Sequence, residues 1–179
     1  MSSLLIPNLR DVGETVNLIV GDEILKEGYL FRGGTVNNIF GVHELPPVRS
    51  IINLRRGKDQ EFDGINNIQI PSKDHLENYE TSNKLIKKWI KRILRVMTDS
   101  LEWPILVHCS AGKDRTGVIT PCILKALDIP ESVIIEEYLQ SEGVINSKNI
   151  IIALKGMRDI KSYLSDKNII NLLQKQLKA

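Results

Sequence analysis

Val107-His108-Cys109-Ser110-Ala111-Gly112-Lys113-Asp114-Arg115-Thr116-Gly117 is the stretch on which this sequence turns, because an arginine follows a cysteine six positions later across a short glycine-containing run. Upstream, Pro104 to Val107 is an apolar run suited to a buried strand, and downstream Val118 to Leu127 is compatible with a helix. The stretch is therefore expected to be a strand, a loop and a helix. In that arrangement the loop amides and the helix N-terminus point N–H groups into one concavity, whose partial positive charge binds a dianionic phosphate. Arg115 would close the concavity with a planar bidentate fork. Cys109 sits at its mouth, where the positive field favours the thiolate. A thiolate beneath a bound phosphorus is a nucleophile in attack position.

With these residues in register, the loop resembles the His-Cys-five residues-Arg-Thr-Gly signature of the protein tyrosine phosphatase superfamily. Ala111-Gly112-Lys113-Asp114-Arg115-Thr116-Gly117 resembles the version carried by a bacterial and fungal subgroup that includes dual-specificity, triple-specificity and phosphoinositide-directed members. Asn8-Leu9-Arg10-Asp11-Val12-Gly13 and Gly28-Tyr29-Leu30-Phe31-Arg32-Gly33-Gly34 are similar to that subgroup's N-terminal pattern. Ile51-Ile52-Asn53-Leu54-Arg55 is similar to its strand end, with Asn53 where the pattern has Asp. The resemblance runs from about residue 8 to about residue 143. It implies an α/β phosphatase-like fold, with a small mixed central sheet flanked by helices, and hydrolysis of phosphomonoesters through a phosphocysteine. Cys109 would attack, while Ser110, Ala111, Gly112, Lys113, Asp114 and Arg115 hold the phosphate. Thr116 would hydrogen-bond the departing sulfur, His108 would orient the loop rather than act as a base, and Arg55 would lie near the site.

Composition agrees with one enzyme domain spanning 1–179. A chain of 179 residues with 42% hydrophobic content can bury one sizeable core, and is short for two. The net charge of +2 suits anionic substrates without pointing to nucleic acid. No apolar run reaches the ~20 residues of a transmembrane helix, and Met1 to Pro7 lacks the pattern of a signal peptide. The two cysteines, one of them inside the nucleophile motif, do not form a disulfide framework. A reducing, cytoplasmic setting is expected. His43, His75 and His108 lack ligand spacing and no paired-cysteine motif exists, so neither a metal nor a cofactor is expected.

Along the chain, Ile24 to Arg32 reads as a hairpin arm, and Val48 to Leu54, Asn67 to Ile70 and Ile105 to His108 read as strands. Between the last two, Leu85, Ile86, Trp89, Ile90, Ile93, Leu94 and Met97 recur at helical spacing within Thr81 to Met97. Val133 to Leu139, Ser147 to Leu164 and Asp166 to Leu177 complete a helical C-terminal third, with Ser147 and Asp166 as expected caps. Cys122 lies in the apolar pattern of the helix after the loop and reads as a core residue rather than a redox partner.

Departure of an alkoxide or phenoxide calls for a carboxylic acid. Asp74, 35 positions before Cys109 in the polar loop Ile70 to His75, is the first choice, and Asp114 inside the phosphate loop is the alternative. Trp103-Pro104 is not the superfamily's acid loop, since Ile105 follows it. His75 reads as a solvated loop residue.

Lys113, with Arg55, Arg56 and Lys58 beyond the strand end, hints at polyanionic substrates. The expected partners are thus a phosphorylated protein, a phosphoinositide or an inositol phosphate. Lys84, Lys87, Lys88, Lys91, Arg92 and Arg95 form a basic helix face that reads either as a solvated surface or as a peripheral contact with an anionic membrane. A nucleotide-binding loop is excluded because Val107 stands where its first glycine would be and Asp114 follows Lys113. A sulfur-transfer or arsenate-reducing loop fits less well, given Thr116-Gly117 after Arg115. The rival from another class is a phosphatase-like module that binds phosphoanions with negligible turnover.

Overall fold

The computed structural model describes residues 5–73 and 77–179. Five short strands form one sheet: β1 (Arg10–Asp11), β2 (Leu30–Gly33), β3 (Ser50–Asn53), β4 (Asn66–Gln69) and β5 (Ile105–His108). Their order is β1-β2-β5-β3-β4. β1 runs antiparallel to β2, and the other pairings are parallel. The sheet is mixed and small, as expected from the sequence.

β5, which feeds the cysteine loop, lies at the centre of the sheet and is buried along its whole length. Strand periodicity divides its side chains between two apolar clusters. Ile105 and Val107 join Ile52 on the helix-covered face, while Leu106 joins Phe31 and Ile51 on the other. That second face is closed by the chain between β2 and β3, through Val36, Ile39, Leu45 and Val48.

The helices are α1 (Val12–Val20), α2 (Lys84–Asp99), α3 (Thr116–Ala126), α4 (Glu131–Leu139), α5 (Lys148–Gly156), α6 (Ile160–Leu164) and α7 (Lys167–Leu177). The crossover helix α2 buries Ile86, Trp89, Ile90, Ile93, Leu94 and Met97, and the Trp89 indole donates to the Ile70 carbonyl at 2.9 Å. Leu85, expected in that stripe, is exposed instead. α3 is buried on nearly every side, so its apolar residues carry no one-sided pattern.

Three expectations change in detail. Of the arm over Ile24 to Arg32, only Leu30 onward joins the sheet. Gly28 turns the chain at φ +74°, and Leu25 and Lys26 pair with Lys178 and Leu177 instead. The helix expected from Ser147 to Leu164 is two helices, because the Asp159 carboxylate accepts from the Lys161 and Ser162 amides and starts α6 afresh. Ser147 makes no side-chain cap, whereas Asp166 caps α7 as expected. The helix α1 is not among the expected elements, and its start is fixed by the Asp11 carboxylate accepting from the Gly13 and Glu14 amides.

The segment ahead of α2 is seated tightly on α5. The Thr81 hydroxyl donates to the Ala153 carbonyl at 2.6 Å, and the Tyr163 hydroxyl donates to the Thr81 carbonyl at 2.8 Å. A Cβ on Gly156 would lie 2.7 Å from the Ser82 amide nitrogen and closer still to the Thr81 hydroxyl. Gly156→Ala is therefore expected to lower stability by about 2 kcal/mol despite alanine's better helix propensity, as read from urea unfolding.

Candidate active site

Residues 109–116 connect the carboxyl end of β5 to the first turn of α3. Their outward-facing carbonyls are taken up by the N-terminal part of the chain. The Thr35 amide donates to the Ser110 carbonyl at 3.0 Å, the Asn8 side-chain amide to Ala111 at 2.8 Å, and the Arg32 guanidinium to Gly112 at 3.1 Å. Across a trans peptide the C=O and the following N–H point in opposite directions. Fixing these three carbonyls outward turns the amides of Ala111, Gly112 and Lys113 toward the concave side, where an anion can accept from them. Gly112 has φ +69°, and a Cβ there would sit 2.5 Å from the Gly33 carbonyl carbon. The loop backbone thus rests directly on the backbone of Gly33 and Gly34.

Cys109 is buried, with 2% of its surface exposed. Burial alone pushes its thiol up. Hydrogen bonds from the Thr116 amide and hydroxyl, the Arg115 charge and the Gly112 amide more than offset that, and leave it below the ordinary thiol value. The Thr116 hydroxyl lies 3.6 Å from Sγ. Arg115 reaches back over the loop, donating to the Leu54 carbonyl and the Ser110 hydroxyl, each at 3.0 Å. Cys122 behaves oppositely: fully buried in the core, its thiol is pushed up to about 12.

His108 is held by a residue that sequence reasoning did not single out. Its Nε2 lies 2.7 Å from Asp59 Oδ2, with both side chains fully buried, and Nδ1 lies 3.4 Å from the Cys109 carbonyl. Burial raises the Asp59 carboxyl, but the His108 hydrogen bond and charge and the Arg55 charge outweigh it and hold it below the usual range. Arg55 also donates to Thr35 and Asn37, so it braces the segment beneath the loop. Asn53 folds the intervening turn, accepting from the Arg55 amide at 2.7 Å and donating to the Gly57 carbonyl at 2.9 Å.

A second network turns on another residue that the sequence did not single out. Glu137 of α4, fully buried, pairs with Arg32 and Arg10, both at 2.8 Å. These contacts account for the N-terminal pattern: Asn8 and Arg32 hold the loop directly, Arg10 shares the carboxylate that fixes Arg32, and Asp11 caps α1 and accepts from the Gly28 amide.

Asp114 accepts from the Tyr79 hydroxyl at 2.9 Å, and that hydroxyl meets Tyr138 at 2.8 Å. Asp74 and His75 lie outside the described residues. Lys113 lines a groove of about 230 Å³ beside the loop, together with Gly143, Asn146, Lys148 and Asn149.

Iodoacetamide alkylation of Cys109 in the native protein should therefore reach half its maximal rate below the free-cysteine pH range. Thr116→Ala or Arg115→Met should move that midpoint upward, while Cys122 reacts only on unfolding. The depressed carboxyl of Asp59 adds stability that is full above the unfolded carboxylate value of ~4 and is lost as pH falls through the lower folded value. Asp59→Asn is expected to cost about 2 kcal/mol at neutral pH, and its deficit relative to wild type should shrink as urea melts are taken down to about pH 3.

Comparison with known proteins places this geometry in a family. Residues 4–177 match the tyrosine phosphatase family. Over 58 residues the chain is 38% identical to an Arabidopsis thaliana protein named inositol diphosphatase DSP5, covering 32% of this chain and 28% of that protein. Over 42 residues it is 47% identical to the triple specificity protein phosphatase PtpB of Mycobacterium tuberculosis, covering 24% of this chain and 15% of that one. The matched segments thus span less than a third of these relatives. The fold is shared with the catalytic core of the PP-IP phosphatase SIW14 from S. cerevisiae, at 20% identity and a TM-score of 0.56, over 81% of this chain and 93% of that structure. With nearly its whole length matched, and the cysteine loop built as described, this chain belongs to the tyrosine phosphatase family.

Proposed function

We propose that the chain is a cysteine-dependent phosphatase that hydrolyses phosphomonoesters through a phosphocysteine intermediate. The observation that carries this reading is the loop geometry, with its carbonyls held outward, its arginine reaching over it and the Thr116 hydroxyl 3.6 Å from Cys109 Sγ, an arrangement that lowers the thiol. The Cys109 thiolate attacks phosphorus in line. Arg115 and the loop amides stabilise the charge that spreads over the equatorial oxygens, a field already in place before substrate arrives. The leaving oxygen takes its proton from a carboxylic acid, Asp74 or Asp114. Water then displaces the sulfur, which the Thr116 hydroxyl and amide stabilise as it departs. His108, fixed by Asp59, orients the loop.

For substrate, the named activities of the relatives divide between phosphoproteins and inositol diphosphates. Lys113 and Lys148 on the groove beside the cradle support a substrate with a second anionic group, an inositol phosphate or a phosphoinositide. The basic face of α2 lines a shallow groove of about 570 Å³ and supports peripheral contact with anionic surfaces. Among the described residues no helix is long and apolar enough to cross a membrane. The two unpaired cysteines support a reducing, cytoplasmic setting.

Steady-state hydrolysis of phosphotyrosine, phosphoserine and phosphothreonine peptides, phosphoinositides and inositol polyphosphates, without added metal, tests the reading. The expected result is turnover by wild type, loss of turnover in Cys109→Ser, and preference for the substrates bearing several phosphates. Phosphoanion binding without turnover in wild type would make the chain a binding module instead.

A further inference from the structure

The loop aspartate is held by a pair of buried tyrosines from two other elements. Tyr79 comes from the segment ahead of α2 and Tyr138 from α4, with 4% and 2% of their surfaces exposed. Their rings meet edge to face, 6.2 Å between centroids at 89°. The hydroxyl of Tyr79 stands between two oxygens, 2.9 Å from Asp114 Oδ1 and 2.8 Å from the Tyr138 hydroxyl. A phenol carries one hydrogen and a carboxylate can only accept. With Asp114 ionised the polarity of the chain follows: Tyr138 donates to Tyr79, and Tyr79 donates to Asp114 Oδ1. Burial, Tyr138 and the Asp114 charge all push ionisation of Tyr79 far up, so it stays a donor. The same packing explains Gly117, where a Cβ would lie 2.7 Å from Tyr138 Cε2 and 3.7 Å from the Tyr79 hydroxyl. The bond that Tyr79 gives Asp114 falls on Oδ1, not Oδ2.

We propose that Tyr79, backed by Tyr138, is a positioning residue that keeps the Asp114 proton on Oδ2 and so directs that oxygen to the leaving group. This inference rests on the reading that Asp114, rather than Asp74, is the proton donor. With Oδ1 occupied as an acceptor, the acid form of Asp114 carries its hydrogen on Oδ2. As the bond from Sγ to phosphorus forms and the bond from phosphorus to the ester oxygen breaks, the electron pair of the broken bond passes to that oxygen. The oxygen takes the Oδ2 proton, and the phosphocysteine and an Asp114 carboxylate remain. In the second step a water oxygen bonds to phosphorus, the phosphorus–sulfur bond breaks to regenerate the thiolate, and the carboxylate recovers a proton from the water. The Tyr79 bond to Oδ1 persists through both steps, so the acid is reset in the same orientation.

Leaving-group dependence tests this, because proton donation matters for an alkoxide and little for p-nitrophenoxide. Wild type, Tyr79→Phe, Tyr138→Phe, Asp114→Asn and the Tyr79→Phe/Asp114→Asn double variant are compared on phenethyl phosphate and p-nitrophenyl phosphate. Inhibition by inorganic phosphate reports the cradle, and thermal melts report the fold. Asp114→Asn is expected to lower kcat/KM roughly 100-fold on phenethyl phosphate and far less on p-nitrophenyl phosphate. Tyr79→Phe should lose about 10-fold on phenethyl phosphate alone, acting on kcat with KM and phosphate inhibition unchanged, and Tyr138→Phe should lose less in the same sense. The double variant should be no slower than Asp114→Asn. If Asp114→Asn slows both esters alike, Asp114 is not the acid and the inference falls with that assignment. If Asp114→Asn is selective but Tyr79→Phe slows both esters alike, or adds fully to Asp114→Asn, the acid stands and the positioning role is overturned. Should Tyr79→Phe fail to fold, Tyr138→Phe carries the same comparison.

Discussion

A trans peptide cannot point its carbonyl and its following amide the same way, and the site is built on that constraint. A loop that must offer N–H groups to an anion has to place its carbonyls somewhere, and left alone they would turn toward whatever donor was nearest. Here the donors are supplied from behind: the Thr35 amide, the Asn8 side chain and the Arg32 guanidinium. Once these are in place the concave face is a field of donors without further adjustment. The lowered Cys109 thiol is the local response to that field.

The clamps themselves need support, and the structure provides it with buried charge. Arg32 is fully buried, which is tolerable only because Glu137 accepts from it and from Arg10. Asp59 does the same service on the other side, holding His108 and Arg55 together. Such pairs contribute geometry more than stability, since each charge must be stripped of water before it meets its partner. The glycines belong to the same scheme. Backbone rests on backbone where Gly112 meets Gly33 and Gly34, and a side chain at that contact would lift the loop from its clamps.

What was legible in the sequence follows from these physics. β5 and α2 were readable because a continuous apolar run and a one-sided apolar stripe are direct records of burial. Cys109, Arg115 and the loop stood out because phosphate binding requires those residue types at fixed spacing. Asp59 and Tyr79 left no comparable trace: each reaches the loop through a side-chain contact with a residue 49 or 35 positions away, and no periodicity encodes such a pairing. Glu137 was harder still, a charge in a helix that reads as an ordinary solvated position yet is fully enclosed. The break between α5 and α6 was missed because the apolar pattern continues across it, while one aspartate cap interrupts the hydrogen bonding. In the N-terminal pattern, family likeness flagged the right residues and the structure supplies their reasons.

The clamps join distant parts of the chain. Asn8 and Ala111 are 103 positions apart, and Arg32 and Glu137 are 105. Contacts of such separation form late, after the loop-closure entropy has been overcome. Until they do, Cys109 is an ordinary thiol in an irregular segment, and only the finished fold shifts it toward the thiolate. Susceptibility to oxidation follows thiolate character, so a chain still being made or partly unfolded is spared the irreversible damage that an activated cysteine invites. Reactivity toward peroxide is thus a property acquired at the end of folding, together with the cradle.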